Sequence, residues 1–162
     1  MTGTEITLER IGLRPGQRVL EIGPGPGRLL IPAADRVLPG GEVVGIDIQP
    51  GMIDRLKRRA KSANVKNLTA ILGDATQPVV AEGSFDVAFI VTTLGEIPDR
   101  AAALAQCLRA LKPGGVLSIT EMLPDPHYQS KTTVKRLAEE AGFRLQSVHG
   151  GAWLFTANCV KP

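Results

Sequence analysis

The chain has 162 residues, of which 43% are hydrophobic and 22% charged, and its net charge is +3. This length suits one domain, so we expect a single domain over residues 1–162, and the composition is too apolar for a disordered chain. Because no apolar run reaches the roughly 18 residues of a membrane span and no basic flank precedes an apolar core at the amino terminus, we expect a cytoplasmic protein without an integral membrane segment.

Short apolar runs alternate with longer segments of helical periodicity, and glycine or proline stands at nearly every junction. This alternation predicts an α/β fold with a doubly wound, mainly parallel sheet and helices on both faces. The predicted strands are Arg18–Ile22, Val43–Asp47, Leu68–Leu72, Phe85–Val91 and Val116–Met122. The predicted helices are Arg28–Val37, Met52–Ala63, Arg100–Leu111 and Lys131–Ala141. The residues after Gly142 alternate around another glycine pair and predict a C-terminal antiparallel hairpin, which brings the sheet to seven strands.

Cysteine and charge patterns argue against several kinds of site. Cys107 and Cys159 stand in apolar segments without a CxxC motif or a Cys/His cluster, so we expect reduced packing residues and no metal site. The basic run between Arg55 and Lys61 has no interleaved aromatic residue, and it predicts a solvated helix face with no nucleic-acid partner.

A glycine-rich turn, Glu21–Gly27 with the sequence EIGPGPG, joins the first predicted strand to the first predicted helix. Glycine lets the backbone approach a ligand closely, and the start of the following helix offers unpaired N–H groups. Many tight strand-to-helix turns use glycine for steric reasons alone, so the turn by itself does not identify a ligand.

The spacing of these glycines and one carboxylate narrow the choice of ligand. In a dinucleotide pattern GxGxxG that starts at Gly23, the third glycine would fall on Arg28. A start at Gly25 would require glycine at Leu30, which also fails. Glu21 would repel a pyrophosphate and attract the sulfonium and ammonium groups of S-adenosylmethionine. The turn therefore favours S-adenosylmethionine over a nicotinamide cofactor.

Two further carboxylates follow predicted strands at the edge where α/β folds bind ligands. Asp47 could accept hydrogen bonds from both hydroxyls of a ribose, or it could cap the next helix. Asp74 could accept from an adenine amine, or it could simply close a turn after Gly73.

Taken together, these stretches resemble the class I, Rossmann-like S-adenosylmethionine-dependent methyltransferases, particularly the ubiquinone and menaquinone biosynthesis branch. The matching stretches are VLEIGPGPG, GIDIQPGMIDRLKRRA, ILGDA, FDVAFIVTTLGEIPD, LKPGGVLSITEM and AEEAGF. They occur in the family's order and cover nearly the whole chain.

The resemblance implies a set of cofactor contacts. Glu21 and Gly23 would flank the methionine part, and Gly25 and Gly27 would also belong to the cofactor-binding turn. Asp47 would hold the ribose, and Asp74 with Ala75 would read the adenine. Ile48 and Met52 would pack against the adenine ring, although Met52 is equally explained by packing of its helix on the sheet. Thr92 would lie near the reacting methyl, although threonine is also common at strand ends. The turn glycines are Gly23, Gly25 and Gly27.

A general base is needed only if the methyl acceptor must lose a proton. Candidates follow the fourth and fifth strands, and of these we select Glu96, His127 and Tyr128 as catalytic. Histidine is a frequent general base, but His127 could be an ordinary exposed loop residue, and Glu96 could pair with Arg100 one helical turn later. The two remaining candidates are Glu121 and Asp125.

The chain is shorter than its quinone-modifying relatives before the first strand and after the fifth, where relatives place substrate-covering helices. Either the acceptor is large or membrane-presented, or a second subunit closes the pocket. Of these we favour a homodimer, and we expect a small-molecule methyl acceptor. Two rival hypotheses stay open: a cofactor-binding core without independent catalysis that acts with a partner, and a nicotinamide-dependent oxidoreductase.

Overall fold

The computed structural model describes all residues from 1 to 162, and its centre is one seven-stranded sheet. The strands are β1 (Arg18–Ile22), β2 (Glu42–Asp47), β3 (Leu68–Leu72), β4 (Phe85–Val91), β5 (Leu111–Met122), β6 (Arg144–Gly150) and β7 (Leu154–Val160). Their order is β3-β2-β1-β4-β5-β7-β6, and β7 runs in the direction opposite to the other six strands. The predicted fold class, including the C-terminal hairpin, is confirmed.

Five α-helices cover the two faces of this sheet. They are α1 (Gly3–Ile11), α2 (Leu30–Arg36), α3 (Pro50–Ser62), α4 (Arg100–Ala110) and α5 (Lys131–Glu140). Apolar side chains of α1, α2 and α3 form one core layer with the sheet, and those of α4 and α5 form the other. None of these helices has both the length and the apolar character needed to cross a membrane.

Several element bounds differ from the sequence-based prediction, including that of α3, which begins at Pro50 instead of Met52. Helix α1 was not predicted, although Thr2 and Glu5 form a reciprocal capping box at its start. Helix α2 begins two residues later than predicted, because the glycine turn extends to Leu29. Strand β5 begins at Leu111 instead of Val116, directly after α4, and a register irregularity in its pairing with β4 accommodates the intervening Pro-Gly-Gly segment.

The strand order has a switch point between β1 and β4. From β1 the chain moves outward through β2 to β3, and it then returns to the other side of β1 to form β4. Connections after β1 and β4 therefore diverge at their carboxyl ends and leave a crevice, which is where open α/β sheets bind ligands.

Gly27 lets the glycine turn pack against α3. Its backbone has φ of +91°, and a Cβ at this position would lie 2.5 Å from Cδ1 of Leu56, a side chain that is fully buried. Gly25 in the same turn also has a positive φ, but nothing lies within 4 Å of the place a Cβ would take. An alanine at Gly25 would therefore meet only an unfavourable backbone conformation, whereas an alanine at Gly27 would meet that conformation and a steric clash as well.

We expect Gly27→Ala to lower the free energy of unfolding by about 2 to 4 kcal/mol, because it adds overpacking to the strain of a left-handed backbone. Gly25→Ala, which carries only the backbone strain, should cost about 1 to 2 kcal/mol. Chemical denaturation of both variants measures the difference. Equal losses would show that Leu56 moves aside at no cost.

Candidate functional site

A hollow with a volume of about 620 Å³, which we call the large cleft, lies at the carboxyl ends of β1, β2 and β3. This size is typical of small-molecule sites. Eight of the residues predicted from the sequence line it: Gly23, Gly25, Asp47, Ile48, Met52, Asp74, Ala75 and Glu96. Another hollow, of about 470 Å³, lies at the opposite edge beside Asp86 and Lys112 and contains none of the predicted residues.

Asp47 fixes the glycine turn to the end of β2. Its Oδ2 accepts a hydrogen bond from the Gly25 N–H at 3.1 Å, and its Oδ1 accepts one from the Gln49 N–H at 2.9 Å. It does not cap α3, whose N-cap residue is Gln49. Each carboxylate oxygen has a second lone pair, so the fixed carboxylate can still accept from ligand hydroxyls.

Asp74 closes its own turn and also faces the large cleft. Its Oδ1 accepts hydrogen bonds from the Thr76 N–H at 2.9 Å and the Thr76 hydroxyl at 2.7 Å, and these bonds lower the pKa of Asp74. Its Oδ2 has no partner in the protein, so the turn role and a ligand contact are compatible.

Gly23 allows the glycine turn to approach the side chain of Thr93 closely. A Cβ on Gly23, whose φ is +71°, would lie 2.5 Å from Cγ2 of Thr93. Thr93 lines the large cleft, so Gly23 brings the ends of β1 and β4 together at the crevice.

A smaller hollow of about 270 Å³, the side cavity, adjoins the large cleft and shares four lining residues with it: Gly23, Pro26, Thr93 and Glu96. Thr92 also lines the side cavity, and its φ is +52°, which is an uncommon conformation for a β-branched residue. The Thr92 N–H donates to the Thr120 carbonyl at 2.9 Å, which helps to hold that conformation. Such local strain is found often at functional sites.

Glu21 contributes a buried carboxyl to the side cavity. It is 3% exposed, and its Oε2 has no hydrogen-bond partner in the protein. Burial raises the pKa of Glu21 to about 8, Arg28 opposes this rise, and Asp47 adds to it. An unpartnered buried carboxyl beside a cavity is the arrangement expected for a residue that meets a cationic ligand.

The predicted catalytic residues are not all brought together. Glu96 lines both hollows. It forms no ion pair with Arg100, because the Arg100 guanidinium donates to the carbonyl oxygens of Leu94 and Gly95 instead. His127 is exposed and lines neither hollow. The hydroxyl of Tyr128 donates to the Ala152 carbonyl at 3.3 Å.

Tyr128 has a packing role, since the edge of its ring meets Phe155 with a centroid distance of 6.1 Å. Gly27 likewise lines neither hollow and meets Leu56 instead. Glu121 is buried near the end of β5, where burial raises its pKa to about 7 and the Gln129 N–H donates to it. The roles assigned to His127, Tyr128 and Gly27 stay predictions that their positions do not support.

Several lining residues were not selected from the sequence, namely Gln49, Thr93, Ile97, Asp99 and Asp125. Thr93 directly follows the selected Thr92. Asp125 is among the candidate bases named from the sequence, but it was not selected. The sequence carries no signal for the direction in which a loop side chain points.

The two hollows have a marked charge imbalance. Their lining includes six carboxyl groups and a single cationic side chain, Arg28, in a chain with a net charge of +3. The carboxyl groups belong to Glu21, Asp47, Asp74, Glu96, Asp99 and Asp125. Such a lining attracts cations and disfavours phosphates.

Comparison with known proteins agrees with this geometry. Residues 19–115 match the model of a family described as a methyltransferase domain. Over 119 residues the chain is 38% identical to nocamycin O-methyltransferase of Saccharothrix syringae, covering 74% of this chain and 42% of that protein. It is 37% identical over 120 residues to demethylmenaquinone methyltransferase of Beutenbergia cavernae, covering 74% of this chain and 47% of that protein.

The chain belongs to the class I S-adenosylmethionine-dependent methyltransferases. Its cofactor is S-adenosylmethionine, as the sequence resemblance predicts. A solved S-adenosylmethionine-dependent methyltransferase from Aquifex aeolicus has the same fold, with a TM-score of 0.91, 23% identity and coverage of 99% of this chain and 90% of that one. The methyltransferase chain spans less than half the length of the two curated relatives named above.

The residues present fit this cofactor. Glu21 lines the side cavity and has a buried oxygen, Oε2, without a protein partner, and the fixed carboxylate of Asp47 borders the large cleft where a ribose would lie. Apolar side chains of Ile48, Met52 and Ile97 line the same cleft and suit a flat adenine ring. The individual contacts remain predictions.

We expect Asp47→Asn to weaken the binding of S-adenosylmethionine at least about tenfold, because an amide replaces a charged acceptor of two ribose hydroxyls. The matched control is Asp35→Asn, which removes one carboxylate from the exposed part of α2. Isothermal titration calorimetry measures both affinities. Unchanged binding by a folded Asp47→Asn protein would contradict the ribose assignment.

The raised pKa of Glu21 predicts a pH dependence of cofactor binding. Below pH 8 the free carboxyl is mostly protonated and must lose its proton to meet a cation, so affinity should rise up to about tenfold per pH unit between pH 6 and pH 8. Glu21→Gln should bind more weakly and without this slope. A flat affinity profile for the unaltered protein would contradict the contact between Glu21 and the cationic part of the cofactor.

Proposed function

We propose that the chain transfers a methyl group from S-adenosylmethionine to a small-molecule acceptor and that residues 1–162 act as one methyltransferase domain. The observation that carries this proposal is the acidic crevice at the β1/β4 switch point, where the unpartnered Glu21 carboxyl adjoins a cleft large enough for the cofactor. A nicotinamide cofactor would place its pyrophosphate against the same carboxyl groups, which disfavours the oxidoreductase alternative.

The bound cofactor supplies a methyl carbon attached to a cationic sulfur. Within the protein, Glu21 would hold the methionine end, Asp47 the ribose, and Asp74 the adenine. Thr92 and Thr93 would border the place where the acceptor meets the methyl group. Methyl transfer of this kind requires mainly positioning and exclusion of water, and a crevice between fixed strand ends can provide both.

The names of the curated relatives support an acceptor of low molecular mass, because one is named for nocamycin and another for demethylmenaquinone. The expected homodimer, the absence of a nucleic-acid partner and the cytoplasmic location stay predictions. The alternative that this chain is a cofactor-binding core that acts with a partner also stays a prediction.

Calorimetric titration should show binding of S-adenosylmethionine and of S-adenosylhomocysteine, with no binding of NADH. Incubation with methyl-labelled S-adenosylmethionine and a panel of phenols, amines and carboxylic acids should then transfer label to at least one acceptor. Asp47→Asn should reduce this transfer, and Asp35→Asn should leave it unchanged. Tight NADH binding without S-adenosylmethionine binding would overturn the proposal, and cofactor binding without transfer to any acceptor would favour the alternative of a core that acts with a partner.

A further inference from the structure

Apolar side chains are exposed at the edge of the sheet where β5 ends and β7 begins. Met122 is 38% exposed, and Trp153, the single tryptophan of the chain, is 72% exposed. They belong to one continuous patch, because Met122 pairs with Leu154 and the Leu123 N–H donates to the Trp153 carbonyl at 2.9 Å. Isolated exposed apolar residues are ordinary, whereas a contiguous group indicates a contact surface. The group, which we call the hairpin patch, consists of Met122, Leu123, Ala152, Trp153 and Leu154.

The backbone of the hairpin patch is fixed although its tryptophan side chain extends into solvent. The Leu123 bond ties the carbonyl of Trp153 to the end of β5, and the Tyr128 hydroxyl donates to the neighbouring Ala152 carbonyl at 3.3 Å. The exposure of Trp153 is therefore not the result of an untethered loop. An ordered backbone presents this side chain in one place.

Two cations lie against the same hairpin. The Lys131 Nζ donates to the Gly150 carbonyl at 3.0 Å, and Nη1 of Arg10 donates to the Leu154 carbonyl at 3.3 Å. Neither cation forms a salt bridge with a carboxylate. Unpaired positive charge thus adjoins exposed apolar surface, and a partner that offers both apolar and anionic groups would complement it.

The shape of the hairpin patch argues for an extended partner. None of its residues lines any of the three hollows described above, whereas small molecules bind in concave sites. A second copy of the chain in a two-fold contact would bring Arg10 and Lys131 of both copies together, which like-charge repulsion disfavours. Single-stranded nucleic acids are bound by several aromatic side chains along a basic groove, and this patch has one aromatic residue and no groove.

We propose that the hairpin patch docks the protein on an anionic membrane, with Trp153 and Met122 in the headgroup region and Arg10 and Lys131 beside the lipid phosphates. Tryptophan is favoured at this boundary because its ring is apolar and its N–H can stay hydrated. Basic side chains add attraction to anionic lipids while their stems lie on apolar surface. This docking is peripheral, because a few side chains enter the interface and no segment spans it.

The inference goes beyond methyl transfer and does not depend on it. Strands β1, β4 and β5 are parallel, so their carboxyl ends, the hairpin patch and the large cleft all lie at one edge of the sheet. Docking through the hairpin patch would therefore turn this edge, and the cleft with it, toward the bilayer.

The single tryptophan gives a test that is specific for the patch. Vesicles of phosphatidylcholine, with and without phosphatidylglycerol, are titrated into the full chain while the emission of Trp153 is recorded. We expect the emission to shift to shorter wavelength and to be quenched when the acyl chains carry bromine. Binding should be at least about tenfold tighter to the vesicles that contain phosphatidylglycerol, and added salt should weaken it.

Two pairs of variants separate the apolar from the electrostatic contribution, with co-sedimentation as the measurement. Trp153→Ala should weaken vesicle binding at least about fivefold, because apolar area no longer enters the interface. The matched control Leu38→Ala shortens an exposed apolar side chain far from the patch and should bind as the unaltered protein does.

Arg10→Gln/Lys131→Gln should weaken binding to the phosphatidylglycerol vesicles at least about fivefold and leave binding to pure phosphatidylcholine nearly unchanged. Its control is Arg14→Gln/Arg144→Gln, which removes the same charge from exposed positions at the opposite edge of the sheet and should have no such effect. Circular dichroism checks that each variant is folded. If a variant does not fold, quenching of the unaltered protein by brominated lipid still decides the question.

Unchanged Trp153 emission in the presence of anionic vesicles would overturn the inference. That holds even if the protein sediments with them, because binding would then use another basic surface, such as that of α3. A shift of the emission on raising the protein concentration without lipid would indicate self-association through the patch. A response to single-stranded oligonucleotides but not to vesicles would indicate a nucleic-acid partner, and either result would also overturn the inference.

Discussion

The hydrogen bond from the Gly25 N–H to the Asp47 carboxylate joins the ends of β1 and β2, and the geometry of the crevice depends on it. A turn rich in glycine has many accessible conformations, and this bond, together with the packing of Gly27 on Leu56, selects one of them. The same carboxylate borders the cleft, so the group that shapes the turn is also positioned to bind ligand. Under the proposed function, one side chain therefore both shapes the turn and binds the cofactor.

Much of the fold could be predicted because hydrophobic periodicity and glycine–proline punctuation are local properties of the sequence. The strand from Arg18 to Ile22 and the hairpin were predicted on that basis and are confirmed. Helix α1 was missed even though Thr2 and Glu5 carry a capping signal. The early start of β5 has no local signal, because pairing with β4 overrides the turn tendency of the Pro-Gly-Gly segment.

The candidate site was predictable where residues follow strand ends and less so where they lie on loops. Asp47 and Asp74 end or follow parallel strands, so the sheet itself brings them to one edge. His127 and Asp125 stand two residues apart in one loop, and only the folded chain shows that Asp125 lines the side cavity and His127 does not. Loop side-chain direction depends on contacts such as that between Gly95 and His127, which are distant in sequence.

Thr92 has a left-handed backbone at the border of the side cavity. A conformation of this kind costs about 1 to 3 kcal/mol, which is a considerable part of the 5 to 15 kcal/mol that separates a typical folded domain from its unfolded state. If Thr92 borders the methyl group as we propose, stability and activity are in competition at this one residue. A relaxed backbone here would give a more durable protein, but it would redirect a side chain from the place where the acceptor and the methyl group are expected to meet.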